Sequence, residues 1–244
     1  EEQFSAHCAA KLEEMILAEG PDTIAAFIGE PILGTGGIVP PPKGYWAAIQ
    51  AVLKKYDILL VADEVVTGFG RLGSMFGSTH YGMEPDLITI AKGLTSAYAP
   101  LSGSIVSDRM WQVLVQGSDD FGPIGHGWTY SAHPICAAAG VANLKLIDDL
   151  NLVQNAGETG AYFRASLADA VAGHAHVGEV RGDGLMAAVE FVEDRDDRRF
   201  FDPARKIGPA VAAALLDRGV SGRAGVDSST QRPWQSPYTP EVEP

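Results

Sequence analysis

The chain has little cysteine: Cys8 and Cys136 are the only two among 244 residues. Two thiols cannot make a disulfide framework, and Cys136 lies in an Ala-rich apolar helical pattern, where it reads as a small buried residue. Basic side chains are also scarce, 18 Lys plus Arg against 31 Asp plus Glu, for a net charge of −13. That balance argues against nucleic acid or an anionic membrane as a partner. Neither an apolar run of transmembrane length nor a signal-peptide pattern is visible, so the expectation is a soluble, cytoplasmic protein. His126 and His133 have no cysteine or acid pair at ligand spacing nearby, so no metal site is expected. The glycines of Gly34-Thr35-Gly36-Gly37 lack the GxGxxG spacing of a dinucleotide site and read as a tight turn, with Glu30 just before it.

Two short apolar runs stand out against these absences. Asp57-Ile58-Leu59-Leu60-Val61-Ala62-Asp63-Glu64 ends in carboxylates, and Asp86-Leu87-Ile88-Thr89-Ile90-Ala91-Lys92 ends in a lysine. Both have the β-branched and leucine content of strands buried in a parallel sheet. An interior charge without a partner is costly, so a charged strand end demands a use. Vitamin B6 chemistry supplies one: a carboxylate holds the protonated pyridine nitrogen of pyridoxal phosphate, and a lysine binds its aldehyde as a Schiff base. On these residues alone, two strand ends that merely face solvent are an equal reading.

The flanking residues break the tie. Asp63 leads into Glu64-Val65-Val66-Thr67-Gly68-Phe69-Gly70-Arg71-Leu72-Gly73, and Lys92 into Gly93-Leu94-Thr95-Ser96-Ala97-Tyr98-Ala99-Pro100-Leu101-Ser102-Gly103. Upstream stands Gly29-Glu30-Pro31-Ile32-Leu33-Gly34-Thr35-Gly36-Gly37; downstream stands His126-Gly127-Trp128-Thr129-Tyr130-Ser131-Ala132-His133-Pro134. In these four motifs, in this order, the chain resembles the class III pyridoxal-phosphate aminotransferases, and within them the omega-amino-acid:pyruvate branch. The likeness runs from residue 1 to about 220. It implies fold-type I: an α/β large domain with a mainly parallel sheet, here partial over 1–150, and a smaller α+β C-terminal domain, partial over 151–220. It implies pyridoxal 5′-phosphate as cofactor, with Lys92 as its attachment point and proton carrier, Asp63 on the ring nitrogen and Val65 on the ring face. Thr129 matches a threonine that reaches the phosphate of the neighbouring subunit's cofactor, which implies a homodimer with shared sites. The substrates implied are a small-molecule amine or omega-amino acid and a keto acid such as pyruvate.

The periodicities fit that outline. A helix is expected over about 3–19, a strand at 23–30, a helix from about Gly44 to Tyr56 after Pro40-Pro41-Pro42, then the Asp63 and Lys92 strands and a third at 101–107. Strands alternating with crossings predict a sheet covered on both faces, with ligands beyond the carboxyl ends of the strands. Helical patterns run from Pro134 to about Leu150 and through 151–172. Strands near 178–181 and 185–192 and a helix at about 204–219 follow. Ser131 or His133 is the expected cap of the Pro134 helix, Arg71 the anchor of the glycine-rich turn, and Arg181 a structural residue within the small domain.

Residues 221–244 break the pattern. Pro233, Pro237, Pro240 and Pro244 stand among four serines without apolar periodicity, which reads as a disordered tail that has left the reading frame near residue 221. Against the family pattern the chain reads as truncated at its front, without the Gly-Ser phosphate loop and the ring-stacking aromatic, and altered at its back. Arg223 is the sole candidate for a carboxylate-binding arginine there. Two other readings stay open: a catalytically impaired aminotransferase-like remnant, and a Lys92-dependent aldolase or dehydratase, in which Asp63 would have no ring nitrogen to pair with.

Overall fold

The computed structural model describes residues 1–224, apart from 124, 126 and 198. The elements run α1 (Glu2–Glu19), β1 (Ala26–Gly29), α2 (Tyr45–Lys55), β2 (Leu59–Asp63), α3 (Gly77–His80), β3 (Leu87–Ile90), β4 (Gly103–Val106), α4 (Asp108–Phe121), α5 (Pro134–Asp149), α6 (Leu152–Val171), β5 (Val177–Asp183), β6 (Met186–Phe191) and α7 (Ile207–Leu216). The chain is an α/β structure built on a parallel-dominated sheet. Its strands are ordered β1-β2-β3-β4, with β1, β2 and β3 parallel and β4 antiparallel at the edge. β5 and β6 form a separate antiparallel hairpin. Among the described residues, no helix is long and apolar enough to cross a membrane.

The main core lies on one side of the sheet. Ile16 of α1 and Trp46, Ile49 and Leu53 of α2 pack against Leu60 and Ala62 of β2, with Phe27 and Ile88 alongside. Each such large side chain contributes about 2 kcal/mol by leaving water. α2 starts behind Pro42 and Gly44 (φ 82°) and ends on Lys54 and Lys55, cations that suit the negative end of its dipole. A second, smaller cluster joins Ile32, Leu72 and Met186, with Ile38, Val66 and Tyr81 packed on it. It ties the loops after β1 and β2 to the β5–β6 hairpin.

Several expectations need correction. Among the described residues, helices lie over one face of the sheet and leave the other uncovered: β1 alternates between exposed and half-buried residues, Ile28 is 61% exposed, and β4 is exposed over three of its four residues. The reason lies in the connections. The β1-to-β2 crossing contains α2, whereas the β2-to-β3 crossing is loop with the single turn α3 and lays no helix on the other face. α4 was not expected at all; it is capped by Ser107, whose hydroxyl accepts from Met110 N, and it buries no residue. The last helix begins at Ile207 rather than 204, because Lys206 is left-handed (φ 50°) and closes a separate 3₁₀ turn first. Cys136 is half-buried rather than buried. The expected tail falls outside the described residues beyond 224.

Candidate active site

β2 and β3 run in parallel with Asp63 in register with Thr89, so their carboxyl ends lie side by side. Glu64 N donates to Thr89 O at 3.0 Å, holding the two ends together one residue further on. Asp63 is half-buried, and its Oδ1 accepts from Val65 N (3.0 Å) and Thr89 Oγ1 (3.1 Å). Both bonds converge on one oxygen. Among the described residues Oδ2 has no such partner, so a carboxylate of fixed orientation offers one oxygen to a ligand donor. That suits a protonated ring nitrogen, because a charge-assisted N–H···O bond needs a pre-oriented anionic acceptor. Val65 is half-buried as expected, but the chain leaves its extended course at Glu64, and Val65 opens a turn instead of continuing the strand on Asp63's side.

Its neighbour Glu64 does opposite work. The side chain is fully buried and accepts from Thr67 Oγ1 (2.5 Å), Gly77 N (2.9 Å) and Ser78 N (2.5 Å). A buried carboxylate is tolerable only when its lone pairs are met by donors, and these three meet them. Glu64 thereby ties the turn after Asp63 to the start of α3. The sequence marked it only as part of a motif.

Lys92 lies two residues past the end of β3, not on the strand itself. It opens a 3₁₀ turn, Lys92–Leu94, at φ 40°. Ser96 (φ 49°) and Ala97 (φ 63°) are left-handed too, so three non-glycine residues in this short stretch hold a conformation that L side chains resist. Gly93 suits the close approach here: a Cβ on it would stand a tight 3.3 Å from Gly68 O and from Phe69 Cβ. The turn bearing Lys92 thus lies directly against the turn that follows Asp63. The buried Thr95 donates from its hydroxyl to Ala99 O at 2.6 Å, and Asn143 of α5 bonds to the same stretch.

The other candidates are less drawn together. Glu30 folds back on its own loop, Oε2 accepting from Gly34 N at 2.9 Å, while Trp46 Nε1 donates to Pro31 O and fixes that loop on α2. Thr129 lies in an exposed turn, and His126 before it is outside the described residues. Neither expected cap serves α5: His133 occupies the N-cap position without a side-chain bond, and Ser131 Oγ accepts from Trp128 N instead. Arg71 is exposed, and its anchoring group is its carbonyl, which accepts from Leu185 N at 3.0 Å. Arg181 reaches out of its hairpin, donating to Gly37 O at 2.9 Å as well as pairing with Glu190. Arg223 is exposed. No group of His, Cys, Asp and Glu suited to a metal occurs among the described residues.

Asp183, two residues along β5 from Arg181, is a further link that the sequence did not announce. Its Oδ2 takes the Tyr81 hydroxyl and His80 Nε2, each at 2.8 Å, and Gly184 N donates to Oδ1. Burial alone would raise the Asp183 carboxyl, but these three bonds outweigh it and hold it below the usual carboxylate range. Burial, followed by the bond to Asp183, pushes the Tyr81 phenol well above its ordinary value.

Comparison with known proteins gives this arrangement its context. A family model described as aminotransferase class-III matches residues 1–228. The diaminobutyrate–2-oxoglutarate transaminase of Halomonas elongata is 66% identical over 224 residues, which are 92% of this chain and 48% of that protein. A probable gamma-aminobutyrate transaminase of Oryza sativa is 44% identical over 228 residues, 93% of this chain and 44% of its own length. Among solved structures, the omega transaminase of Pseudomonas jessenii in complex with PMP aligns with a TM-score of 0.89 at 43% identity, covering 93% of this chain and 50% of the other. A transaminase from ancestral reconstruction aligns with a TM-score of 0.90 at 69% identity, covering 91% of this chain and 49% of the other. The chain spans about half the length of the curated relatives it matches.

Proposed function

That the chain belongs to the class-III aminotransferases is the premise from which we propose that the protein carrying it moves an amino group from an amine or omega-amino acid to a keto acid. The observation that supports this most is the pair of parallel strand ends: a carboxylate with one oriented oxygen at Asp63, and a lysine held on a tight turn at the next strand.

Class-III aminotransferases use pyridoxal 5′-phosphate, which when bound supplies an electron sink and a temporary seat for the amino group. The residues of this chain take the remaining tasks. Asp63 keeps a proton on the ring nitrogen through its Oδ2. Lys92 Nζ would be the point of attachment and, as a free amine, the base that could move a proton at the substrate carbon. Thr129 offers its hydroxyl to a phosphate oxygen across a homodimer interface, a role its exposed position leaves it free to take. Val65 would pack on one face of the ring, as the family resemblance implies.

For the acceptor, the likeness to the omega-amino-acid:pyruvate branch favours pyruvate. The 66% identical relative, by its name, works with 2-oxoglutarate, which makes that keto acid the second reading. The two separate in one assay. The cofactor-loaded protein is supplied with 2,4-diaminobutyrate, 4-aminobutyrate or a simple primary amine, and with each keto acid in turn, and alanine or glutamate is measured. Amino-group transfer to either acceptor supports the proposal, and the product names the acceptor. No transfer from any of these donors to either acceptor would overturn it.

A further inference from the structure

The turn that carries Lys92 is gripped from two sides. On one side Gly93 lies against Gly68 and Phe69. On the other stands α5, which comes closest through Gly140 and Asn143, one helical turn apart and therefore on one face. Gly140 is buried, and a Cβ there would meet Leu101 Cδ2 at 3.2 Å and Leu94 O and Thr95 Cγ2 at 3.9 Å, so the helix packs closely on the turn at this point. Asn143 then spends three of its hydrogen-bonding positions on the turn. Its Nδ2 donates to Gly93 O (2.8 Å) and Leu94 O (3.1 Å), and its Oδ1 accepts from Ser96 Oγ (2.7 Å).

The geometry points to Asn143 as the positioning residue for Lys92: it holds the lysine turn in its left-handed conformation and so sets where the Lys92 amine is delivered. This rests on the reading of Lys92 as the attachment point. Left-handed backbone at Lys92, Ser96 and Ala97 persists only where the surroundings over-determine it. Of the turn's own bonds, Leu94 N to Ala91 O is 3.0 Å, but Thr95 N to Lys92 O and Ser96 N to Gly93 O stretch to 3.3 and 3.4 Å. The bonds to Asn143, at 2.7 to 3.1 Å, reinforce that stretched part of the turn at Gly93, Leu94 and Ser96. A side chain with two N–H donors and one acceptor is what the site requires, and asparagine offers that set at the right length. Aspartate keeps the acceptor but cannot donate and would turn a negative charge on two carbonyl oxygens. Leucine keeps the volume and makes none of the three bonds.

The test uses the cofactor-loaded protein that carries this chain, with Asn143→Asp, Asn143→Leu and Ser96→Ala, the last altering only an exposed hydroxyl at the edge of the network. Borohydride labelling of the parent comes first; a parent without label on Lys92 sinks the reading of Lys92 itself, whatever Asn143 does. With Lys92 labelled in the parent, the Asn143 variants are expected to lose about tenfold to a hundredfold in kcat with KM little changed, because a small misplacement of a reacting group costs on that scale. Ser96→Ala should fall in the same direction by a few-fold. In the cofactor-free protein, amide exchange over residues 92–99 should quicken in the variants while α1 and α2 keep their protection. The Asp variant should be no better than the Leu variant. Folded variants with parental kcat and exchange would overturn the inference. If both Asn143 variants fail to fold, Ser96→Ala decides it: lowered kcat with quickened exchange supports the role, and parental behaviour in both overturns it.

Discussion

Among the described residues the two faces of the four-stranded sheet differ, and β2 shows the division within five residues. Leu60 and Ala62 point to one face and are buried against α1 and α2, whereas Leu59, Val61 and Asp63 point to the other and are all half-exposed. Neighbouring strands follow suit: Phe27 and Ile88 join the packed face, and Ile28 and Thr89 the open one. The comparison teaches that alternation along a strand separates stability from chemistry. One parity supplies apolar area, and the other ends in a carboxylate aimed at a ligand. The same contrast recurs between neighbours at the strand end, where Glu64 is enclosed by three donors and Asp63 keeps an oxygen to spare.

Substitutions of opposite parity should therefore fail in opposite ways. Asp63→Asn preserves the acceptor for Val65 N and Thr89 Oγ1 but cannot hold a ring-nitrogen proton. We expect turnover to drop about a thousandfold, roughly 4 kcal/mol of transition-state stabilisation, with the thermal midpoint near that of the parent. Turnover within about tenfold of the parent would remove Asp63 from the ring nitrogen. Leu60→Ala, three residues earlier and on the packed face, should cost about 3 kcal/mol of stability by denaturant titration and leave kcat of the folded fraction unchanged. A kcat loss as large as that of Asp63→Asn would erase the division.

Glu64→Gln tests the contrast between neighbours. It removes one acceptor oxygen and points an amide N–H₂ towards donors, so a loss of about 2 kcal/mol in stability is expected, with a smaller kinetic effect than Asp63→Asn. The smallest expected effect is on pH. Asp183 holds the hairpin to His80 and Tyr81 with a carboxyl whose folded value is depressed. A depressed value contributes stability that is fully present above the unfolded value near 4 and disappears as pH falls through the lower folded one. Acid titration of Asp183→Asn against the parent should show the parent's advantage fading below about pH 4. An advantage that grew on acidification would contradict the network.

Much of this was legible in the chain. The strand ending at Asp63, the strand leading towards Lys92 (though it stops at Ile90), the helix starting at Pro134 and the strands near 178–181 and 185–192 all follow from local period and punctuation, which a sequence carries directly. What was hidden depended on partners far along the chain. The exposed face could not be foreseen, because two apolar strands look alike whether or not a helix lies over them. α4 did carry a signal, Ser107 followed by Asp108 at the start of an amphipathic stretch in which Met110, Trp111 and Leu114 fall at helical spacing, although none of them is buried. Arg181 read as local because its bond to Gly37 O joins residues 144 apart in sequence. Asn143 read as one more helical residue, although it is the first polar side chain of a helix that is apolar from Pro134 to Ala142, and that could have singled it out. The left-handed turn at Lys92 leaves no mark in composition, since only Gly93 within Lys92–Ser96 announces unusual backbone.

The central claim is that the open strand ends are where the cofactor is held, and one labelling measurement tests it most directly. The protein carrying this chain is loaded with pyridoxal 5′-phosphate, reduced with borohydride, digested, and mapped by mass spectrometry. Among the other lysines, Lys54, Lys55 and Lys145 stand on the surface in ion pairs with Glu84, Glu13 and Asp149. The account predicts one pyridoxyl group per chain, on Lys92, abolished together with the visible absorbance by Lys92→Ala. A label on Lys54, Lys55 or Lys145 with Lys92 unmodified would contradict it.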